Sequence, residues 1–373
     1  MNVIVLKNNL KEGLSVISGA RKESGNLPIL RNFLLESNGG KLTLASTDLE
    51  IAITYSVSAK IIQEGSITLP YGVFSQIVNN LTSERVSIES KNNTLLITAD
   101  NYKAKIATAP KEDFPIIPEI KNKKNNSCDF EIGFLTDSLS SVVTACQISD
   151  IRPELSGVYW SFKDNEVKLA ATDSFRLSEK TIPSKKFESS FNKEFSCIIP
   201  LKTIQEVIRI FSSKNGDKVK IIFDTNQVSF ESEHANLVSR LIEGKFPDYE
   251  PVIPKNFETE VILEKNDVTG ALKLASSLSN RLNEVKFITD ENKKNVNIFS
   301  SSQEFGESEY LIPAKIKGQN TKVTFNWKFV LDGLKNIKNN SIFFGFNGEE
   351  KASLIKSPDD ASFLYIIMPI KSS

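Results

Sequence analysis

Hydrophobic positions along this chain follow two alternating rhythms, and the alternation itself recurs. Leu10, Leu14 and Ile17 keep the i, i+4, i+7 spacing of a helix face, as do Leu135, Leu139, Val142 and Cys146, and again Val268, Leu272, Ala275 and Leu278. A second amphipathic set follows each of these: Val73, Ile77 and Leu81; Ile204, Val207, Ile208 and Phe211; Trp327, Val330, Leu331, Leu334 and Ile337. Between and after the helices the period falls to two. Val86, Ile88, Leu95 and Ile97 predict a hairpin around Lys91, Asn92 and Asn93, and Val219, Ile221, Phe223, Val228 and Phe230 predict another around Thr225 and Asn226. In the last third, Ile342, Phe344 and Phe346 lead through Gly348 to Leu354, with Gly345 and Gly348 both assigned to a hairpin turn. The pattern predicts an α+β unit, two helices on one face of an antiparallel sheet, repeated three times.

Local words repeat with the same long period. Leu44 to Asp48 returns 125 residues later as Leu169 to Asp173, and Phe114 to Pro118 returns loosely as Phe246 to Pro254. Such a period is that of a small domain rather than of a solenoid repeat. The expected domains are 1–120, 128–252 and 253–373. Their expected linkers are Glu119 to Ser127, rich in Lys and Asn, and Pro251 to Phe257, with two prolines.

Chemistry-bearing patterns are sparse. Cys128, Cys146 and Cys197 are odd in number and lack Cys-x-x-Cys spacing, which points away from a disulfide framework or a zinc site and toward a reducing cytosol. Met1 to Leu6 is too short an apolar start for a signal peptide, and no run approaches the ~18 apolar residues of a membrane span. The single histidine, His234, has no visible nucleophile or metal partner in its local pattern and is assigned to the surface. No phosphate-binding glycine loop occurs. Asp48 and Asp173 could be a carboxylate pair, but Thr-Asp after a strand more simply fixes a turn through side-chain to backbone bonds.

Charge balances at 46 basic and 46 acidic residues, yet its distribution is uneven. The six windows expected to be helical (8–23, 71–83, 132–149, 200–214, 264–281 and 326–339) hold twelve basic and seven acidic residues, net +5, which leaves −5 elsewhere. Equivalent helices of three repeats turned to a common side would give a positive face for a negative polymer, with acidic strands outside.

The chain resembles the bacterial sliding clamp family, the beta subunit of the replicative DNA polymerase. The resemblance runs through Leu27 to Leu30; Leu44 to Asp48; Arg152, Pro153 and Leu155; Thr172, Asp173, Arg176 and Leu177; Glu243, Gly244 and Phe246 to Tyr249; and Met368, Pro369 and Ile370. It covers essentially the whole chain in order. It implies three DNA-clamp domains per chain and a head-to-tail homodimeric ring around double-stranded DNA, without sequence specificity, catalytic residues or cofactor. Twelve helices side by side at ~9 Å give a circumference of ~108 Å and an axis-to-axis diameter of ~34 Å. Subtracting one helix thickness leaves a hole of roughly 23 Å, enough for a duplex. Retention by topology asks the lining to neutralise phosphate without gripping bases. The candidates are Arg21, Lys22, Arg209 and Lys273, with Arg152 and Ser149 on a loop.

The resemblance further implies a hydrophobic pocket that captures peptides from the replicative polymerase, the clamp loader and repair proteins. Carried over by position, its wall is Leu155, Thr172, Ser174, Phe175, Arg176, Leu177, Pro247, Val252, Ile366, Met368, Pro369 and Ile370. Aliphatic residues supply area and Met adapts to varied partners. Ser174 and Phe175 stand where the family often has Gly-His, and Pro251 where it often has Arg, so the peptide preference is expected to be shifted. For the ring joint the resemblance points to edge strands of the first and third domains, with Ile106 and Leu278 as apolar contacts. Opening is assigned to a separate ATP-driven clamp loader, and the protein is expected in the cytoplasm, associated with the nucleoid and with no membrane partner. The alternatives are an enzyme with a site across domains and a β-rich peptide-binding scaffold that does not encircle DNA.

Overall fold

The structure, a computed structural model, describes every residue except 23–26, 121–125, 164, 192, 213–216, 293 and 372–373. Its elements recur three times in one order. The first repeat runs β1 (Asn2–Leu6), α1 (Lys7–Ile17), β2 (Asn32–Asn38), β3 (Lys41–Thr47), β4 (Ile51–Val57), β5 (Ala59–Gln63), β6 (Gly65–Pro70), α2 (Tyr71–Asn80), β7 (Arg85–Lys91), β8 (Thr94–Ala99) and β9 (Tyr102–Ala107). The second runs β10 (Ser127–Glu131), α3 (Ile132–Val143), β11 (Gly157–Lys163), β12 (Glu166–Thr172), β13 (Arg176–Pro183), β14 (Phe187–Ser189), β15 (Phe195–Pro200), α4 (Leu201–Phe211), β16 (Lys218–Phe223), β17 (Gln227–Glu231) and β18 (Ala235–Arg240). The third runs β19 (Thr259–Glu264), α5 (Lys265–Ser276), β20 (Glu284–Asp290), β21 (Asn295–Ser302), β22 (Gly306–Pro313), β23 (Lys315–Gly318), β24 (Lys322–Asn326), α6 (Trp327–Lys335), β25 (Ser341–Phe346), β26 (Ser353–Lys356) and β27 (Phe363–Ile367). The repeat that is faint in sequence is complete in structure.

Two compact units divide this chain: Met1–Gly133 with Phe187–Asn192 and Glu206–Leu241, and Phe134–Lys186 with Lys193–Gln205 and Ile242–Ser373. The first unit holds a five-stranded sheet, β5-β1-β7-β8-β9, and a nine-stranded sheet, β14-β10-β16-β17-β18-β4-β3-β2-β6. The second holds a nine-stranded sheet, β15-β11-β12-β13-β27-β26-β25-β19-β23, and a four-stranded sheet, β22-β21-β20-β24. All the described pairings of named strands are antiparallel.

Each nine-stranded sheet contains a seam where one repeat meets the next. At the first seam β4 pairs with β18, Ala52 facing Val238 and Ile53 facing Leu237. At the second β13 pairs with β27, Leu177 facing Ile366 and Ser178 facing Tyr365. Ala52 and Leu177 are 125 residues apart, so the two seams share one register. Helices reinforce them: the Arg209 guanidinium donates to the Val16 carbonyl at 2.7 Å, and the Asn336 amide donates to the Ser141 carbonyl, the same place in α3, at 3.0 Å.

The repeated Thr-Asp words build the same turn twice. Thr47 Oγ1 donates to the Ile51 carbonyl and accepts from the Leu49 amide, while Asp48 Oδ1 accepts from the Glu50 and Ile51 amides. Thr172 and Asp173 do the same with the carbonyl of Arg176 and the amides of Ser174, Phe175 and Arg176. Leu49 (φ 78°) and Ser174 (φ 76°) both take the left-handed conformation that this closure requires. The carboxylates are structural, as their position after a strand suggests.

Some expectations change. Gly345 lies inside β25 rather than in the turn, because a Cβ there would come within 2.3 Å of the Phe257 ring; Gly348 (φ 76°) alone of the two serves the turn. Pro251 to Phe257 is no free linker, since Ile253 and Phe257 pack partly buried against an apolar cluster. Within Glu119 to Ser127, residues 121–125 lie outside the described residues, Ile120 is buried and Ser127 opens β10. The helices are shorter than their windows: Arg21, Lys22, Arg281 and Lys338 fall beyond helix ends, and Glu23 and Lys214 lie outside the described residues. The six described α-helices carry eight basic and five acidic residues, a net +3.

Asp173 also holds Arg176 Nε at 2.9 Å, which Asp48 has no arginine to do at the equivalent Ile51. In urea denaturation Asp48→Ala is expected to cost about 1–2 kcal/mol and Asp173→Ala about 2–4 kcal/mol.

Candidate functional site

The residues assigned to a peptide pocket all lie in the second compact unit, where two strands and one irregular segment converge. Leu177 on β13 and Ile366 on β27 are directly paired, and with Leu155 they join a buried cluster of Ala170, Ile198, Phe246, Tyr249 and Leu354. This cluster is the floor. Around it stand side chains that burial leaves available: Phe175 is 63% exposed and Val252 48%, while Pro247, Met368, Pro369 and Ile370 are half-buried. The chain past β27 is tied down by backbone bonds, Met368 N to the Phe175 carbonyl and Ile370 N to that of Thr324, both 2.8 Å. Phe175 is therefore an aromatic side chain on a fixed backbone, held at its amide by Asp173 and at its carbonyl by Met368. Rigid apolar groups that remain wet in the free protein are what a hydrophobic ligand needs.

Arg176 plays a different part from its neighbours. Its guanidinium bonds Asp173 and, at 2.7 Å, Asp332 on α6, and stacks over the Phe329 ring at 4.2 Å. With 11% of its side chain exposed, it braces the second seam from inside. Thr172 and Ser174 belong to the turn, and Ser174 Oγ also accepts from Arg152 at 3.2 Å. Sequence reasoning missed Tyr159, Phe246, Tyr249 and Glu179 beneath the wall. Tyr159 and Phe246 stack at 4.9 Å, and Tyr249 stands edge-on to both. The Phe-Pro word shared by Phe114 and Phe246 was the available signal, because an aromatic repeated at one place in two domains marks a packing position.

The basic candidates separate into held and open side chains. Arg209 bonds the carbonyls of Ser15 and Val16 and both donors of its inner edge meet Glu206, so its charge is committed to joining α1 and α4. Arg21 lies over the Tyr71 ring at 4.6 Å. Arg152 bonds Glu154 and Ser174, on a loop that Ser149 and Ser156 tie through mutual hydrogen bonds. Lys22 and Lys273 are exposed.

Of the eight terminal strands of the four sheets, two have equivalents that are paired at the internal seams: β9 in the first unit, equivalent to β18 and β27, and β22 in the second, equivalent to β4 and β13. Beside β22's sheet, Leu274 on α5 is 58% exposed, whereas Val16 on α1, at the same place in its repeat, is 8% exposed. Ile106 is only 7% exposed in the single chain, and Leu278 is half-buried. His234 sits on the turn between β17 and β18, 3.9 Å from Glu233. Burial raises the Cys146 thiol to about 12, and its Sγ donates to the Leu155 carbonyl. Among the described residues no group of three or more His, Cys, Asp or Glu is placed to hold a metal, and no helix is long and apolar enough to cross a membrane.

Family models for the N-terminal, central and C-terminal domains of the DNA polymerase III beta subunit match residues 1–118, 133–248 and 250–371. The Beta sliding clamp of Staphylococcus epidermidis is 29% identical over 377 residues, covering 98% of this chain and 97% of that protein. The Beta sliding clamp of Synechocystis sp. is 26% identical, covering 100% and 99%. Among solved structures, the DNA polymerase sliding clamp from Bacillus subtilis superposes with a TM-score of 0.95 at 26% identity, and the DNA polymerase III beta subunit from Thermotoga maritima with 0.90 at 27%, each covering both chains completely. With three consecutive domain matches, full-length relatives and a shared fold, the chain belongs to the DNA polymerase III beta subunit family, the bacterial sliding clamps.

Proposed function

We propose that the chain is a DNA polymerase processivity factor that closes head to tail with a second copy around duplex DNA and tethers the replicative polymerase and other clamp-binding proteins through its peptide pocket. The observation that carries this reading is the pair of open edges. Strands β4 and β13 are paired at their seams with β18 and β27, and the third member of each set, β22 and β9, is an edge. An unpaired edge is a template for another strand, and head-to-tail use of one on the other leaves neither β9 nor β22 open when two copies close.

The seam register transfers to those edges. Ser46 donates to the Ile17 carbonyl in α1 and Ser300 to that of Ala275 in α5, which marks them as equivalent; their strand partners are Ile53 and Ser308. Ala104 faces Ile97 on β8 as Leu237 faces Phe230 on β17. Setting Ala104 against Ser308, as Leu237 is set against Ile53, puts Lys105 opposite Glu307 and Lys103 opposite Glu309. All four are exposed in the single chain. Leu274 is then covered as Val16 is. Ile106 lies under the seam, and the charged pairs give it direction, since two copies of either edge would set like charges together.

For DNA, a helical net charge of +3 favours loose electrostatic residence over tight gripping. Lys22 and Lys273 fit phosphate contacts, as do Arg21, Arg152 and Ser149 in supporting places; Arg209 serves the seam first. Opening falls to an ATP-driven loader, and repair proteins compete for the same pocket. A peptide-binding scaffold without encirclement would give the two complementary edges no use.

Reversing the edge charges tests closure. Lys103→Glu with Lys105→Glu should weaken self-association by about tenfold or more in sedimentation, as should Glu307→Lys with Glu309→Lys, and all four together should restore it. Strict monomers at micromolar wild-type protein, or failure of the fourfold variant to recover, would sink the assignment. On DNA, Lys22→Ala and Lys273→Ala should each lower the salt slope of binding by about one, while Arg209→Ala should show mainly as about 1–3 kcal/mol of lost stability.

A further inference from the structure

Beneath the pocket lies a carboxylate that the seam itself does not require. Glu179 follows Leu177 on the same face of β13 and is 6% exposed, paired across the strands with Ala170 and Leu364. Its Oε2 accepts from the Tyr249 hydroxyl at 2.5 Å. The charged groups facing it are Lys168 on β12, which reaches Glu250 at 3.4 Å and Glu166 at 3.9 Å, and those two carboxylates. Burial raises the Glu179 carboxyl above the ordinary carboxylate range. For the fold alone, apolar groups in place of the Glu179 carboxyl and the Tyr249 hydroxyl together would serve at least as well.

Tyr249 carries the consequence outward. Its ring is wedged edge-on against Tyr159 and Phe246, and its carbonyl accepts from the Val252 amide at 3.0 Å. The segment from Phe246 to Val252 thus bears two pocket residues, Pro247 and Val252, and is bolted to β13 by a side-chain hydrogen bond. We infer that Glu179 is a positioning residue of the peptide pocket: through Tyr249 it holds the Val252 wall opposite Leu177 and Ile366, at the separation an inserted apolar side chain requires. This rests on the peptide-pocket reading proposed above. Preorganisation of this kind appears as affinity, because the wall is ordered before the ligand arrives.

The test uses fluorescein-labelled peptides tiled through the cognate replicative polymerase, followed by anisotropy with the full chain, alongside thermal unfolding. Glu179→Leu combined with Tyr249→Phe, which removes both partners and strands neither, should bind the best wild-type peptide about tenfold more weakly while its thermal midpoint stays level or rises, and Glu179→Gln, whose amide oxygen still accepts, should stay within about threefold of wild type. Opposite movement of affinity and stability is the signature of positioning. Wild-type affinity in the double variant, or a loss of affinity matched by a lower midpoint, overturns the inference and leaves the pocket standing. Binding of no tiled peptide to the wild-type chain overturns the pocket and the inference together. If the double variant does not fold, Tyr249→Phe decides: weakened binding supports the role and unchanged binding refutes it.

Discussion

A β-strand at a sheet edge carries a row of unmet donors and acceptors, and the organisation of this chain follows from where those rows find partners. Each repeat ends one half-sheet at its fourth strand and another at its ninth. Two of the three resulting pairs close within the chain, β4 on β18 and β13 on β27, in one register. Backbone hydrogen bonding makes those seams continuous sheet. Their side chains then choose the chemistry: Ala52, Val238, Leu177 and Ile366 make the internal seams apolar, whereas the free edges display Lys103, Lys105, Glu307 and Glu309. A permanent seam suits hydrophobic contact. At the proposed joint between copies, exposed charges are ones that water can recover.

The proposed peptide pocket draws on the same geometry. The Thr172-Asp173 turn projects Phe175, the paired Leu177 and Ile366 make the floor, and the chain beyond β27 crosses back to bond Phe175. Arg176 ties the turn to α6 through Asp332. A site ordered in advance is the kind from which a short peptide would gain affinity with few anchors.

Much of this was legible from residue order. The 3.6 and 2.0 periodicities located six helices and the hairpins, because burying one face of a helix or strand imposes its period on the sequence. The Thr-Asp words were legible as turns because their chemistry is local. Helix ends were less so: Arg21 and Lys338 lie past them, and the helical charge shrank accordingly. Gly345 escaped because its constraint is a distant ring, that of Phe257. Arg209 showed on the sequence only as a basic residue on a helix face; its acceptors on α1 lie nearly two hundred positions away. Glu179 likewise read as a polar position on a strand until Tyr249 was beside it. Interactions between residues far apart in the sequence leave no local period.

Closure around DNA is most directly measured by topology. The protein is assembled on nicked circular DNA by its cognate loader, separated from free protein, and the circle is cut once far from any bound obstacle. A closed ring slides off the new ends, so bound protein should fall to the level of a linear control, and blocking both ends should keep it on. Equal retention on cut and uncut DNA with free ends would mean that the chain binds the duplex surface and does not encircle it.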